Sequence, residues 1–447
     1  MIHMTQNKKE LFHLTWPIFC EAVLFSVIGS VDVIMLSGYS DNAVGAVGVV
    51  NQILFLFQVV SNIITTGTGI LCAQYIGAGK GIKEKEPLIL GALFMNGLLG
   101  ILFSLGIGLG AEGILRGMNL SDELYFYGKQ YLTIVGGFLF VQMISMTFST
   151  LIRSHGKTKA TMCFSVVMNL INLVLNYILI YGKFGFPAMG AAGAAAATVI
   201  SKGISCIMAG GYLFLKVLPN FSFCLDWKAI GKNIRSILTY GSPAAGEQIS
   251  YTLSKLIVMV MVTSLGTIAV NTYSYVNTVV GYVYLFSMAI GQGTSIIIGW
   301  EVGKKHLEEA KAVCLFSVRC SFLISLAAVG VLCVLRREVL GLFTDDLEII
   351  SMGATVIFSD IILEIGRSRN LVFVNALRAA GDVRFPLCIG LFSMWFFSVG
   401  MSWFLGIHLG WQLTGIWIAL GLDECFRAVG MQIRWKKEQW VRYALHN

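Results

Sequence analysis

Residues 165–180 read SVVMNLINLVLNYILI. The run is apolar enough for hydrocarbon, yet it carries Ser165, Asn169, Asn172 and Asn176. A side-chain amide in hydrocarbon must find partners or bear the cost of unmade hydrogen bonds. The four polar positions follow i, i+4, i+7, i+11, which an α-helix gathers on one face. The stretch is therefore a membrane helix with one polar stripe, and the rest of the chain decides what that stripe meets.

The surrounding sequence is of the same kind. Its 447 residues are 56% hydrophobic and 13% charged, with mean hydropathy +0.77, whereas a soluble chain carries roughly 25% charged residues. Apolar stretches of about 20 residues, each able to cross a ~30 Å hydrocarbon core as a helix, recur from end to end. In the first half they lie near 14–36, 43–76, 87–110, 124–152, 160–181 and 188–215. In the second they lie near 233–264, 268–300, 311–335, 348–377, 384–407 and 409–430. The expected fold is an all-α polytopic membrane protein of twelve spans. The amino terminus has two lysines before its first apolar run but no small-residue cleavage site, so that run reads as a retained span.

Charge fixes the expected orientation. Even-numbered loops and both termini collect most of the Lys and Arg, among them Lys80, Lys83, Lys85, Arg153, Lys157, Lys304, Lys305, Arg378, Arg384 and Lys436. The other side has Arg116, Lys183, Arg336 and Arg337. The positive-inside rule then puts both termini in the cytoplasm of a cell (plasma or inner) membrane. The formal net charge of +8 is topology rather than a nucleic-acid footprint. The ten cysteines show no CxxC and no histidine at metal spacing, so they read as packing thiols. With no Ser/His/Asp, Cys/His or metal-protease constellation, an enzyme is not expected, nor is a cofactor.

An offset of 226 residues aligns the halves: Pro17 with Pro243, Glu21 with Glu247, Gly67 with Gly293 and Gly77 with Gly303. At 225, Arg153 and Gly156 fall on Arg378 and Gly381. Two six-helix lobes in the same orientation make a parallel repeat, the architecture of many transporters. The expected division is 1–215 for the first lobe, 216–235 for a cytoplasmic linker, and 236–447 for the second lobe with a basic tail.

Ionisable residues within spans are functional candidates, since insertion costs at least ~2.5 kcal/mol per charge. Span 1 offers Glu21 and Asp32, on nearly one face. The Asn172–Asn176 end of the stripe is expected to meet Asp32, which would make an all-oxygen site suited to a hard cation. Asn169 suits interhelical hydrogen bonding equally well. Span 7 holds Glu247, Tyr251 and Lys255 on one face; span 10 holds Asp360, Glu364 and Arg367 at i, i+4, i+7. A Glu247–Lys255–Glu364–Arg367 network is expected, either clamping the two spans or linking them to proton movement. The second-half residues matching Asp32, Asn172 and Asn176 are Val258, Phe397 and Met401, so the Asp–Asn cluster belongs to one lobe.

The segments LTWPIFCEAVLFSVIGSVDVIMLSGYSDNAVGAVGVVNQI, TGTGILCAQYIGAGK, NLVLNYILIYG, GAAGAAAAT and NALRAAGDVRFP resemble those of the multidrug and toxic-compound extrusion (MATE) transporters. The resemblance runs over nearly the whole chain. It implies a monomeric antiporter in the lipid bilayer that exports organic small molecules, often amphipathic cations, in exchange for H⁺ or Na⁺. It implies an ion site at Asp32, Asn172, Asn176 and Thr198, with Asn176 standing where relatives commonly carry an acid. The competing expectation is a flippase or exporter of lipid-linked or other anionic precursors from the same wider superfamily, with Lys255 and Arg367 as its cations.

Overall fold

The computed structural model describes residues 2–118 and 120–444, with residues 2–6, 28 and 30 described by their backbone alone. Water does not reach the bilayer core, so each span must close its own backbone hydrogen-bond ladder, and the described chain is accordingly helical. Its long helices are α1 (Ile2–Ser37), α2 (Asp41–Gly77), α3 (Ile82–Gly117), α4 (arms Asp122–Gly136 and Leu139–Ser154), α5 (Thr158–Tyr181) and α6 (Ala191–Val217). They continue as α7 (Trp227–Ser264), α8 (Thr267–Gly303), α9 (Leu307–Val334), α10 (Leu347–Ala379), α11 (Arg384–His408) and α12 (Gln412–Lys436). Among the described residues nine helices are long and apolar enough to cross a membrane, and the two arms of α4, bent by 48°, make a tenth. The other two, α7 and α12, are long but diluted by polar residues, Glu247 and Lys255 in one and Asp423, Glu424 and Arg427 in the other.

Contacts divide the chain into two compact units. One, the C-unit, comprises Met1–Phe19, Gly77–Gly79 and Pro243–Asn447; the other, the N-unit, comprises Cys20–Ile76 and Lys80–Ser242. The division thus falls at Ser242/Pro243 rather than within 216–235, and the start of α1 joins the C-unit. The reason is packing. Leu11 and Leu14 are buried among Ile297, Val302, Phe373 and Trp435. In the N-unit, Ile237 from the start of α7 is buried among Ile64, Leu71, Leu88 and Leu151. Leu11 and Ile237 are themselves 226 residues apart in the sequence, so the exchange of half-helices obeys the repeat. Pro17 and Pro243 lie inside α1 and α7 at these crossings, where the missing N–H loosens the ladder.

The repeat is also visible in two corners. Gly156 closes α4 at φ 75° and Gly381 closes α10 at φ 95°. Their N–H groups donate to the carbonyls of Arg153 (2.8 Å) and Arg378 (2.9 Å). Left-handed backbone at a helix end favours glycine, which explains why an R-x-x-G spelling occurs in both halves. In α11 the regular ladder gives way to wide π-type turns over Met394–Met401 and Trp403–His408, a local rearrangement often found near functional sites.

Candidate functional site

In the N-unit the polar stripe faces α1. Ser165 Oγ donates to Glu21 Oε1 at 2.7 Å, and Asn176 Nδ2 donates to Asp32 Oδ1 at 2.7 Å. Both pairs are 144 residues apart, so α1 and α5 run in the same direction and in register. Asn176 Nδ2 also reaches Asn172 Oδ1 at 3.2 Å. In the opposite amide orientation, which gives up that bond, the Asn172 nitrogen lies 3.0 and 3.3 Å from Asp32 Oδ1 and Oδ2. Asn169, Asn172 and Asn176 are all buried. Asn176 Oδ1 and Asn169 Nδ2 have no hydrogen-bond partner among the described residues. An acceptor left buried beside a carboxylate suits a cation or a proton donor.

Thr198 is one step removed. Its hydroxyl donates to the Ala194 carbonyl at 2.9 Å and lies near the Tyr131 hydroxyl. The structure therefore joins Asp32, Asn172 and Asn176 directly, while Thr198 makes no hydrogen bond to the carboxylate. Helix α6 approaches α5 closely at Gly193, where a Cβ would meet the Leu179 carbonyl oxygen at 2.6 Å. One turn beyond Thr198, Lys202 donates to Gln142 Oε1 at 2.6 Å, and its charge acts on Asp32. Sequence reasoning passed over Lys202, although it is the one Lys or Arg within 188–215.

Glu21, at the other end of the stripe, is bound by Arg153 at 2.7 Å and by Thr161 at 3.4 Å. Its repeat counterpart Glu247 is bound by Arg378 at 2.5 Å. Both arginines, read as loop charges, sit in the last turns of α4 and α10 as ion-pair partners. The expected four-residue network is thereby corrected. Glu364 does pair with Arg367 at 2.7 Å, but Glu247 turns to Arg378 and Lys255 joins neither. Eight residues along α7 separate Glu247 from Lys255, about 12 Å of rise, beyond the reach of an ion pair. Lys255 Nζ instead lies 5.5 Å from the Tyr251 ring centroid.

Asp360 is wholly buried and accepts from Trp417 Nε1 at 2.8 Å. Asp360 Oδ2 and Glu364 Oε2 have no partner among the described residues. A cluster on α12 was missed by the sequence reading. Arg427 Nη2 donates to Asp423 Oδ2 at 2.7 Å and to Glu424 Oε1 at 2.8 Å. Ser393 and Ser398 of α11 donate to Asp423, and Asn370 donates to Glu424 at 2.8 Å. The signal was three ionisable residues within five positions of an expected span. Beside these groups lies a cavity of about 690 Å³, whose charged lining is Glu247, Lys255, Arg367, Arg378, Glu424 and Arg427. That volume suits a drug-sized molecule.

Long apolar helices, an internal parallel repeat, and ion pairs and amides held at membrane depth define a polytopic membrane transporter. The MatE family model matches residues 17–178 and again 243–404, and the second match starts 226 residues beyond the first. The chain belongs to this family, the MATE transporters. It is 38% identical over 432 residues to the transporter YisQ of Bacillus subtilis, covering 97% of this chain and 95% of that one. It is 25% identical to NorM, a probable multidrug resistance protein of the same organism, over 97% of both chains. Among solved structures it resembles a multidrug resistance MATE family transporter in an outward-facing conformation, with TM-score 0.87 and 18% identity over 99% of this chain and 97% of that one.

Proposed function

We propose that this transporter is a secondary active antiporter that exports organic small molecules in exchange for H⁺ or Na⁺, with the coupling ion taken at Asp32, Asn172 and Asn176. The observation that carries the reading is the Asp32–Asn176 contact at 2.7 Å beside the unpartnered Asn176 Oδ1. One carboxylate and two amides that can turn their oxygens towards it offer a hard-cation donor set. A proton on Asp32 would neutralise the same buried charge. Either event changes the bonding between α1 and α5, and the polar contacts of α6 with it. Lys202 and Gln142 supply the countercharge and its anchor. In this reading the protein works as a monomer in the cell membrane, with both termini cytoplasmic. In the C-unit, Glu247, Tyr251, Lys255, Glu364 and Arg367 serve substrate handling.

The test is transport in proteoliposomes under separately imposed pH and Na⁺ gradients. Asp32→Asn is expected to lower gradient-driven export of organic dyes at least about tenfold, the effect of ~1.4 kcal/mol of coupling. Export at the wild-type rate by Asp32→Asn under both gradients would overturn the assignment.

A further inference from the structure

We infer that the C-unit cavity binds an amphipathic organic anion, its acidic group seated on Lys255 and its ring among Tyr251, Tyr273 and Tyr284, an inference resting on the transport function proposed above. The argument is one of unmatched charge. Each arginine on the cavity wall already holds a carboxylate: Arg367 has Glu364, Arg378 has Glu247, and Arg427 has Asp423 and Glu424. Each carboxylate on the wall, Glu247 and Glu424, already holds an arginine. Lys255 lines the same cavity, yet among the described residues no carboxylate lies within ion-pair distance of its ammonium. Glu424 and the buried Asp360 act on it through space, but Glu424 is engaged by Asn370 and Arg427. Asp360 accepts from Trp417 through Oδ1 alone, but it is not part of the cavity wall and makes no ion pair with Lys255.

A cationic ligand would have to share a wall carboxylate that an arginine already holds, Glu247 with Arg378 or Glu424 with Arg427, and would lie near those guanidinium charges. An anionic ligand meets an ammonium with open donors and completes its coordination by charge-assisted hydrogen bonds. The lining tyrosines supply aromatic faces with polar ends, and Gln248, Asn277 and Asn375 supply amides for further polar groups. Aromatic surface with a few fixed polar groups is the usual composition of a site for a drug-sized molecule. The inference departs from the amphipathic cations that the family resemblance implies.

The experiment uses the purified full-length protein in neutral detergent and two probes with one fluorophore, dansylglycine as the anion and dansylcadaverine as the cation. The wild-type protein is expected to bind dansylglycine more tightly. Lys255→Gln should weaken that binding at least about tenfold, and Lys255→Arg should keep it within about threefold. Tighter binding of dansylcadaverine by the wild type, or unchanged dansylglycine binding by Lys255→Gln, would overturn the inference. Displacement of dansylglycine by phosphatidylglycerol added to the micelles would also overturn it, assigning Lys255 to a lipid headgroup. Should Lys255→Gln not fold, salt decides. Wild-type affinity for dansylglycine that falls with ionic strength supports the anion site, and salt-independent binding refutes it. Transport without anion preference would sink this inference alone. Anion binding without gradient-driven transport would sink the antiport reading alone.

Discussion

Replacing Arg427 by methionine removes one buried cation that serves two carboxylates. Arg427 is 4% exposed, and its Nη2 makes charged hydrogen bonds of 2.7 and 2.8 Å to Asp423 and Glu424. Breaking a buried ion pair from one side costs about 3–5 kcal/mol, because the abandoned charge remains in place. Here two carboxylates are abandoned next to each other, so the upper part of that range applies, offset by what Ser393, Ser398 and Asn370 still donate. For a unit of this size each kcal/mol moves the melting temperature by roughly 2–4 °C, so Arg427→Met should melt about 10 °C lower. The assay is thermal unfolding followed by size-exclusion fluorescence in detergent. The decisive comparison is the triple variant Arg427→Met, Asp423→Asn, Glu424→Gln, in which no uncompensated charge is left and most of the loss should return. A single variant that melts within about 2 °C of the wild type, or losses that simply add across the three substitutions, would refute this account of the cluster.

Gly193→Ala should destabilise the N-unit by about 1–3 kcal/mol through overpacking, since its Cβ would press on the Leu179 carbonyl oxygen; a lowered melting temperature and reduced dye export are the readouts. Lys202→Met should cut gradient-driven export at least about tenfold by stripping Asp32 of its countercharge and Gln142 of its donor, measured in the same proteoliposomes. His155 sits at the turn between α4 and α5, where burial depresses its imidazole to about 4. A depressed histidine is neutral when folded, so stability should fall as pH drops from about 6.5 towards 4. His155→Leu should flatten that part of the melting-temperature profile. Glu112→Gln, which breaks exposed pairs with Arg116 and Lys129, should leave the melting temperature unchanged.

The candidate ion site was legible because a helix has one period. Ser165, Asn169, Asn172 and Asn176 had to share a face, and the depth of Asp32 selected the partner for one end of it. The repeat offset was legible because Pro17, Glu21 and the R-x-x-G corners recur in order. Pairing between long side chains was not. Glu247 meets Arg378 rather than Arg367 because of the register between α7 and α10, which hydrophobic periodicity does not encode. Its distance from Lys255, by contrast, follows from eight residues of helical rise. Lys202 and the α12 cluster were readable in principle, as ionisable residues at membrane depth, but they fall outside the paired acids of spans 1, 7 and 10 that drew attention. The π-type turns of α11 have no sequence signature, since Phe, Val and Trp fit wide and regular turns equally well.

The exchange of half-helices between the units also constrains biosynthesis. Leu11 and Leu14 leave the ribosome long before Phe373 and Trp435, against which they pack. The C-unit cannot be completed before α12 has been made; its early piece must wait in the bilayer until then. The N-unit likewise stays open until 227–242 has been synthesised. Separate halves cut within 216–235 would each lack a helix segment that their unit requires, and would recover it only by meeting each other. Assembly of the C-unit therefore waits for α12, and a nascent chain stalled before it would present an unfilled seat for the proteases that survey membrane proteins.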